Sequence, residues 1–420
     1  MLRRAVRDPF LWALVGAGGA LRAAAAVDHS RHLSADERAY SLLASDLAHH
    51  ARYGGPGLAG AFHWPPGAPA LFALAHLVSA SPRAAQVVVA TLTILAAALV
   101  ARAVAGRAAG LVAAAVVAFY PPLVHSAGEL LSEPLGALLL TLAVAAAGWG
   151  LRRGGDRRFV LCGVLLGLTA LTRADLLLAP LVVAAVLAAR SRVLRPALVV
   201  LAAAALTVAP WTIFVAAQKG EFVPVSTGGG SNLFIGTYLP GHGTIFGLKR
   251  AFAPVLHVRT PAFKVPEEAV LRYVARGHRG NGEDAYLRDR GLRNAWHYGT
   301  HQPADFGGML ATKVGRLWLD YTHGTLHRSR LVPRIGHVVL VLVALIALAA
   351  GLRARRDGEL VCIAALLALA TVVNAVLVSE ARHLLPLLPL LFAGGAGGAM
   401  LALRGRSGRD QNAEPSMSPP

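Results

Sequence analysis

Taken as hydrophobic and polar positions alone, the chain is a series of apolar runs separated by short polar connections. Runs long enough for a membrane-crossing helix, roughly 17 to 25 residues, fall at about 9–27, 84–104, 108–126, 133–151, 159–173, 175–190, 196–217, 335–352, 359–378 and 384–403. The fifth and sixth are short and joined tightly through TRAD, a spacing that also fits one broken pair. Two further stretches keep helical periodicity without the length to cross. In SADERAYSLLASDLAHH, residues 34–50, Ser34 and Glu37 have capping-box spacing, in which the glutamate reaches back to the cap amide. Tyr40, Leu43 and Leu47 then recur at helical intervals, predicting an amphipathic helix that lies on the membrane surface. FHWPPGAPALFALAH, residues 62–76, starts with paired prolines that enforce extended backbone, and a second surface helix is expected from near Pro69.

Segment 218–334 is mixed rather than apolar. GEFVPVSTGGGSNLFIG reads as extended chain around a glycine turn, either a flexible linker or a backbone nest for an anionic group. After it, two helices are expected, broken at Gly299 to Pro303. The second places Met309, Lys313, Arg316 and Asp320 near one another and Leu310, Val314 and Leu317 on another face.

Composition excludes a soluble globular domain. Of 420 residues, 55% are hydrophobic and only 15% charged, with a mean hydropathy of +0.54, which predicts an all-α polytopic membrane protein with about ten transmembrane helices. A net charge of +19 would suggest nucleic acid in a soluble chain, but here the charge sits in short connections and no nucleic-acid partner is expected. Arg3, Arg4 and Arg7 precede the first span. Arg102 and Arg107 follow the second, Arg152, Arg153, Arg157 and Arg158 the fourth, and Arg190, Arg192 and Arg195 the sixth. Arg353, Arg355 and Arg356 follow the eighth, and Arg404, Arg406 and Arg409 the tenth. Every alternate connection is basic, so the positive-inside rule places both termini in the cytosol. The other side then holds the first outer loop, 28–83, the segment 218–334, and turns carrying Glu129, Glu133, Asp175 and Glu380 beside Arg173 and Arg382.

The expected organisation is therefore an N-terminal membrane module at 1–217, an extracytoplasmic region at 218–334, C-terminal membrane helices at 335–403 and a disordered cytoplasmic tail at 404–420. A cleaved signal peptide is the alternative for the first span, since MLRRAVR is a basic leader and AAAAV a small-residue end. Its length argues against that, and Arg22, costing about 3 kcal/mol at mid-membrane, is more easily accommodated inside a bundle. Cys162 and Cys362 both fall inside spans, so no disulfide framework is expected. The sixteen histidines lie in or beside outer segments, and neither an HxxxH nor an HExxH pattern is read there as a metal site.

Several local patterns occur in one order: DERAY in the first outer loop, WPP before a surface helix, LSEPL opening the fourth span, LTRAD, PWTIF closing the seventh, STGGGSNLFIG, and EARHLLPLLP entering the last. In this the chain resembles the GT-C superfamily of integral-membrane glycosyltransferases, in particular glycosyltransferase family 39, which includes protein O-mannosyltransferases and aminoarabinose transferases acting on lipid A. The resemblance implies an inverting transferase that moves a sugar from a polyprenyl-phosphate carrier to a lipid, glycan or protein acceptor on the extracytoplasmic face. It implies Asp36 as the base, with Glu37 orienting it or merely capping. Glu133 matches a second acidic position that holds the acceptor or a sugar hydroxyl, and also suits a plain helix N-terminus. Arg173 and Arg382, with His383 beside them, become candidates for the carrier phosphate, and Tyr40 and His63 for substrate contact. Where aminoarabinose transferases carry an acid and a lysine before WPP's prolines, this chain has His63 and Trp64. This departure removes the counterparts of the family's phosphate-binding lysine and acid-liganded metal; a divalent metal, with His63 as one available ligand, stays open, and no metal ligand is assigned.

Alanine- and arginine-rich usage suggests a bacterial chain, hence a multi-pass protein of the inner or plasma membrane. The first rival is a lipid flippase or transporter, since boundary arginines also mark anion pathways. It predicts repeats and discontinuous helices in two halves, and the sequence has neither. The second rival is a non-catalytic scaffold, which predicts that changing Asp36 and Arg382 leaves surface glycans unaffected.

Overall fold

A computed structural model describes residues 7–27, 32–54, 60–258, 261, 265–278, 282–321, 331–355 and 357–410. Arg3, Arg4, His29, Arg356 and the tail beyond residue 410 lie outside these. Among the described residues the chain is helical, with no strand. Eight helices are long and apolar enough to cross a membrane, nine if one bent pair counts as a single span. The tenth expected run is Asp156–Thr172, a helix of 17 residues packed against Glu133–Arg153 and Arg195–Lys219. At about 1.5 Å per residue it extends about 26 Å, slightly under the ~30 Å of a bilayer core.

The break expected at TRAD lies elsewhere. At Arg173 the backbone is extended and the chain turns into a separate helix, whereas Arg107–Phe119 and Pro121–Gly128 form the bent pair, at 63°. The cause is PP at 121–122, which removes two amide donors. The carbonyls of Val117 and Ala118 at that break accept from Arg22 Nη2 at 2.8 Å and Nη1 at 3.0 Å. A buried cation, 1% exposed, is thus held at a helix C-terminus, where the dipole favours it.

Alanine, leucine and valine from the spans form one contiguous core. Small residues let helices touch backbone to backbone: a Cβ on Gly398 would lie 2.2 Å from the Ala347 carbonyl oxygen. Charges are divided between the two ends of the bundle. At one end Asp8 accepts from Arg107 at 2.7 and 2.9 Å and from Arg102 at 3.2 Å, Arg152 bonds Glu359, and Arg195 pairs with Asp156 at 2.6 Å. Helix Glu133–Arg153 begins at the other end, about 30 Å away by its length, and Arg173 closes Asp156–Thr172 on that same side.

Two surface helices, Ala35–His50 and Gly67–Leu77, pack together there. Residues 218–321 are more helical than the expected mixed segment. GGSNLFIGT is a helix, Gly229–Thr237, rather than extended chain. The amides of Gly230 and Ser231 do meet an anion, but it is the protein's own Asp284 carboxylate, at 3.1 Å to each. Helix Pro303–Leu319 buries Met309, Lys313 and Leu317 together, which corrects the expected division of its faces. Lys313 donates to the Gly236 carbonyl at 2.8 Å, while Asp320 pairs with Arg334 at 2.8 Å. The last helix, Leu388–Asp410, runs beyond residue 403.

Candidate active site

Asp36, Tyr40, His63, Glu133, Arg173, Arg382 and His383 all line one cavity of about 610 Å³ at the end of the bundle opposite Asp8. Glu37 is the exception. Ser34 caps Ala35–His50, and Glu37 accepts the Ser34 amide at 2.9 Å through one oxygen and the Leu130 amide at 3.2 Å through the other. At 1% exposure it is a cap and a tether, away from the cavity. Asp36, one residue earlier and about 100° around the helix, faces inward.

The Asp36 carboxylate accepts from Arg382 Nη1 at 2.8 Å and from Trp64 Nε1 at 3.3 Å. Burial pushes this carboxyl upward, but the Arg382 charge and hydrogen bond outweigh burial and hold it below its usual range. The prolines of WPP position Trp64, and Gly67 lets the surface helix come close. A Cβ there would stand 2.3 Å from Thr172 Oγ1 and 2.8 Å from its Cα. His63 packs edge-on against Trp64 and under Gly228, whose φ of +93° and missing Cβ leave the ring its space. Burial lowers the His63 pKa against the pull of Asp36, so the ring is neutral near pH 7.

Glu133 opens its helix ahead of Pro134. One of its oxygens pairs with Arg173 at 3.0 Å, and the other is buried without a hydrogen bond in the described structure. Arg173, 8% exposed, also forms a bidentate pair with Asp175 at 3.1 and 3.0 Å. Arg382 is held likewise, with Nε on Glu380 at 2.7 Å. Each candidate phosphate ligand therefore sits between two acids. Asn374 donates to the Ala370 carbonyl, which turns its Oδ1 toward His383 Nδ1 at 2.7 Å. The Glu380 amide also approaches His383 Nδ1, at 3.5 Å.

Sequence reasoning placed Asp175 and Glu380 only as charges in turns and passed over Asn374, Glu267, Asp284 and Arg288, all of which line the cavity. The last three come from the long segment 218–321, where periodicity shows helices but not which end meets the bundle. Burial raises the Glu267 carboxyl to about 6.

Divalent-ion sites need convergent acids or imidazoles, and among the described residues no three His, Cys, Asp or Glu side chains gather to hold one. The cavity acids nearest Asp36 and Glu133 are already paired with guanidinium groups. An HxxxH spacing does occur, at His297 and His301, where the rings stack 4.7 Å apart and lack a third ligand among the described residues. Among the described residues the donor set does not fit a metal.

At the level of sequence, neither a family model nor a curated protein matches the chain. Solved structures do. The archaeal oligosaccharyltransferase AglB from Archaeoglobus fulgidus, in complex with an inhibitory peptide and a dolichol-phosphate, overlays 98% of this chain at a TM-score of 0.55 and 15% identity. The apo form of the Archaeoglobus fulgidus enzyme overlays 99% at 0.56 and 15%. This chain covers 52% and 53% of those proteins, about half their length. ArnT from Cupriavidus metallidurans bound to undecaprenyl phosphate matches at 17% identity over 98% of this chain and 82% of its own, with a TM-score of 0.44, too low to bear argument. At such identities the likeness shows architecture alone. The protein shares its helical fold with these archaeal oligosaccharyltransferase structures.

Proposed function

We propose that the protein is an inverting glycosyltransferase that moves a sugar from a polyprenyl-phosphate donor to an acceptor at the extracytoplasmic face of a bacterial inner membrane. The observation that carries this reading is the Asp36–Arg382 ion pair at 2.8 Å inside a cavity that also holds Arg173 and His383. A base and cationic partners for a departing phosphate are the groups such a transfer requires. Asp36 takes the proton of the acceptor hydroxyl as its oxygen attacks the anomeric carbon. The bond from that carbon to the phosphate oxygen breaks, and its electron pair leaves on the lipid phosphate beside Arg382 and Arg173. Phosphate is a good leaving group and needs little acid assistance. The unpartnered oxygen of Glu133 is suited to accept from a sugar or acceptor hydroxyl, and the Tyr40 hydroxyl, kept protonated by burial and by the Glu133 charge, is suited to donate. The N-terminal membrane module supplies Asp36, Glu133 and Arg173, Glu267, Asp284 and Arg288 of the outer segment line the cavity, and the C-terminal membrane helices supply Arg382 and His383.

A flippase would need a polar path between the two ends of the bundle, whereas the helices between them pack through alanine, leucine and valine. Purified protein incubated with a panel of polyprenyl-phosphate sugars and candidate acceptors is expected to release lipid phosphate and form a glycoconjugate. Asp36→Asn should lose about 10²-fold or more of that rate while inserting and folding normally. Wild-type turnover by that variant removes Asp36 as the base, and lipid movement without a covalent product removes the transferase reading.

A further inference from the structure

Arg382 is shared between two carboxylates that depend on it unequally. Its Nη1 holds Asp36 at 2.8 Å and its Nε holds Glu380 at 2.7 Å, while Nη2 makes no hydrogen bond among the described residues. Glu380 has a second role as the cap of the turn Ala381–Leu387, where its side chain accepts from the His383 amide. Among the described residues, Asp36 has only Trp64 Nε1, at 3.3 Å, as a further donor. An anion arriving at the open edge of this guanidinium competes for Nη1 and leaves Glu380 capped and Asp36 with one indole.

We propose that Arg382 couples donor binding to the basicity of Asp36, so that a phosphodiester engaging this guanidinium turns a weak, ion-paired carboxylate into a stronger base only once the donor is in place. The proposal rests on the transferase reading of the cavity and adds a proton linkage to it. The electrostatic surroundings agree with the geometry. Burial is the largest influence on Asp36 and pushes its pKa up; Arg382 holds it down, helped by Trp64 and by any charge on His63. The other titratable groups facing Asp36 are Glu267, Glu380 and Tyr40. With the hold of Arg382 reduced and a phosphate charge added, what remains around Asp36 is acidic or neutral. The carboxyl then rises, and by linkage binding takes up a proton from solvent between the free and bound values.

The test uses the full-length protein in detergent and decaprenyl methyl phosphodiester, whose single charge does not titrate near neutrality. Calorimetric binding enthalpies at pH 5.5, measured in buffers of different ionisation enthalpy, give the protons exchanged. Wild type is expected to take up a fraction of one proton per probe bound, falling toward zero at pH 8. Asp36→Asn should still bind the probe but take up none, and Glu267→Gln should bind with the uptake intact. Thermal melts establish that each variant is folded. Uptake that survives in Asp36→Asn, or that disappears in Glu267→Gln, assigns the proton elsewhere and overturns the proposal. Binding by wild type without uptake overturns the coupling but leaves the transferase reading standing. No binding by folded wild type overturns both.

Discussion

Asp36 and Glu37 differ by one residue and one rotation around the helix, and their substitutions should separate cleanly. Glu37→Ala leaves the Ser34 and Leu130 amides without their acceptor, the second at a buried site, which costs about 1–3 kcal/mol. The thermal midpoint should fall while the rate per folded molecule is kept. Asp36→Asn removes an ion pair whose side chains are about one third exposed, worth about 0–1 kcal/mol, so its midpoint should barely move while transfer is lost. A Glu37→Ala protein that melts like wild type would sink the tether assignment. The pH profile belongs to the same residue. In free enzyme Arg382 depresses the Asp36 carboxyl, so transfer requiring its ionised form is retained to low pH and lost only below the usual carboxylate range. The acid limb of kcat/KM reports that free state, whereas the limb of kcat reports the donor complex and should lie at higher pH. Coincident limbs contradict the release of Asp36 by donor, and a limb near 6 that vanishes in Glu267→Gln belongs to Glu267 instead.

Among the elements, the helices that cover the cavity depend on two long-range polar contacts, one half-buried and one buried, that hydrophobic periodicity does not reveal. Asp284 caps Gly229–Thr237 across more than fifty residues of sequence, and Asp284→Ala should cost about 0.5–2 kcal/mol, seen as earlier proteolysis of segment 218–321 in limited digestion. Digestion at the wild-type rate would deny the cap that role. Lys313 holds the C-terminal turn of the same helix through the Gly236 carbonyl, and burial lowers its pKa to about 8. The sign follows from linkage: between pH 8 and 10.5 the unfolded chain binds the proton that the folded one has lost, so stability rises with pH across that window. Lys313→Met removes the titrating group and should flatten this rise, and an unchanged pH slope in thermal melts counts against it. Most of the surface-helix geometry, by contrast, is legible in the sequence. The Ser34–Glu37 cap and the WPP turn act over four residues or fewer and their rules are local, whereas the tether from Glu37 to Leu130 is not. Asp284 and Lys313 find partners across long separations, and the glycines that suggested a loose turn instead start a helix because a distant carboxylate satisfies its amides.

On the scale of the whole molecule, apolar runs located every span to within a few residues, because length and hydropathy are the terms a bilayer selects on. The run at 108–126 is legible as a span but not as a bent one, since its 63° break depends on where the freed carbonyls find Arg22. Grouping of the site residues followed from alternation: if basic connections share one side, then Asp36, Glu133, Arg173 and Arg382 share the other. The structure brings these four to one cavity and separates them from Asp8, Arg102 and Arg107 by the length of the bundle. Which end faces the cytosol is a matter of charge, and the arginine-rich end should stay inside. Both native cysteines are buried, so they give little background for labelling. Arg157→Cys, exposed at the basic end, should react in intact cells only with a membrane-permeant maleimide. Thr300→Cys, exposed near the cavity end of the molecule, should also react with an impermeant one. The reverse pattern would invert the topology, place the Asp36–Arg382 pair in the cytosol and remove the basis for an extracytoplasmic transfer.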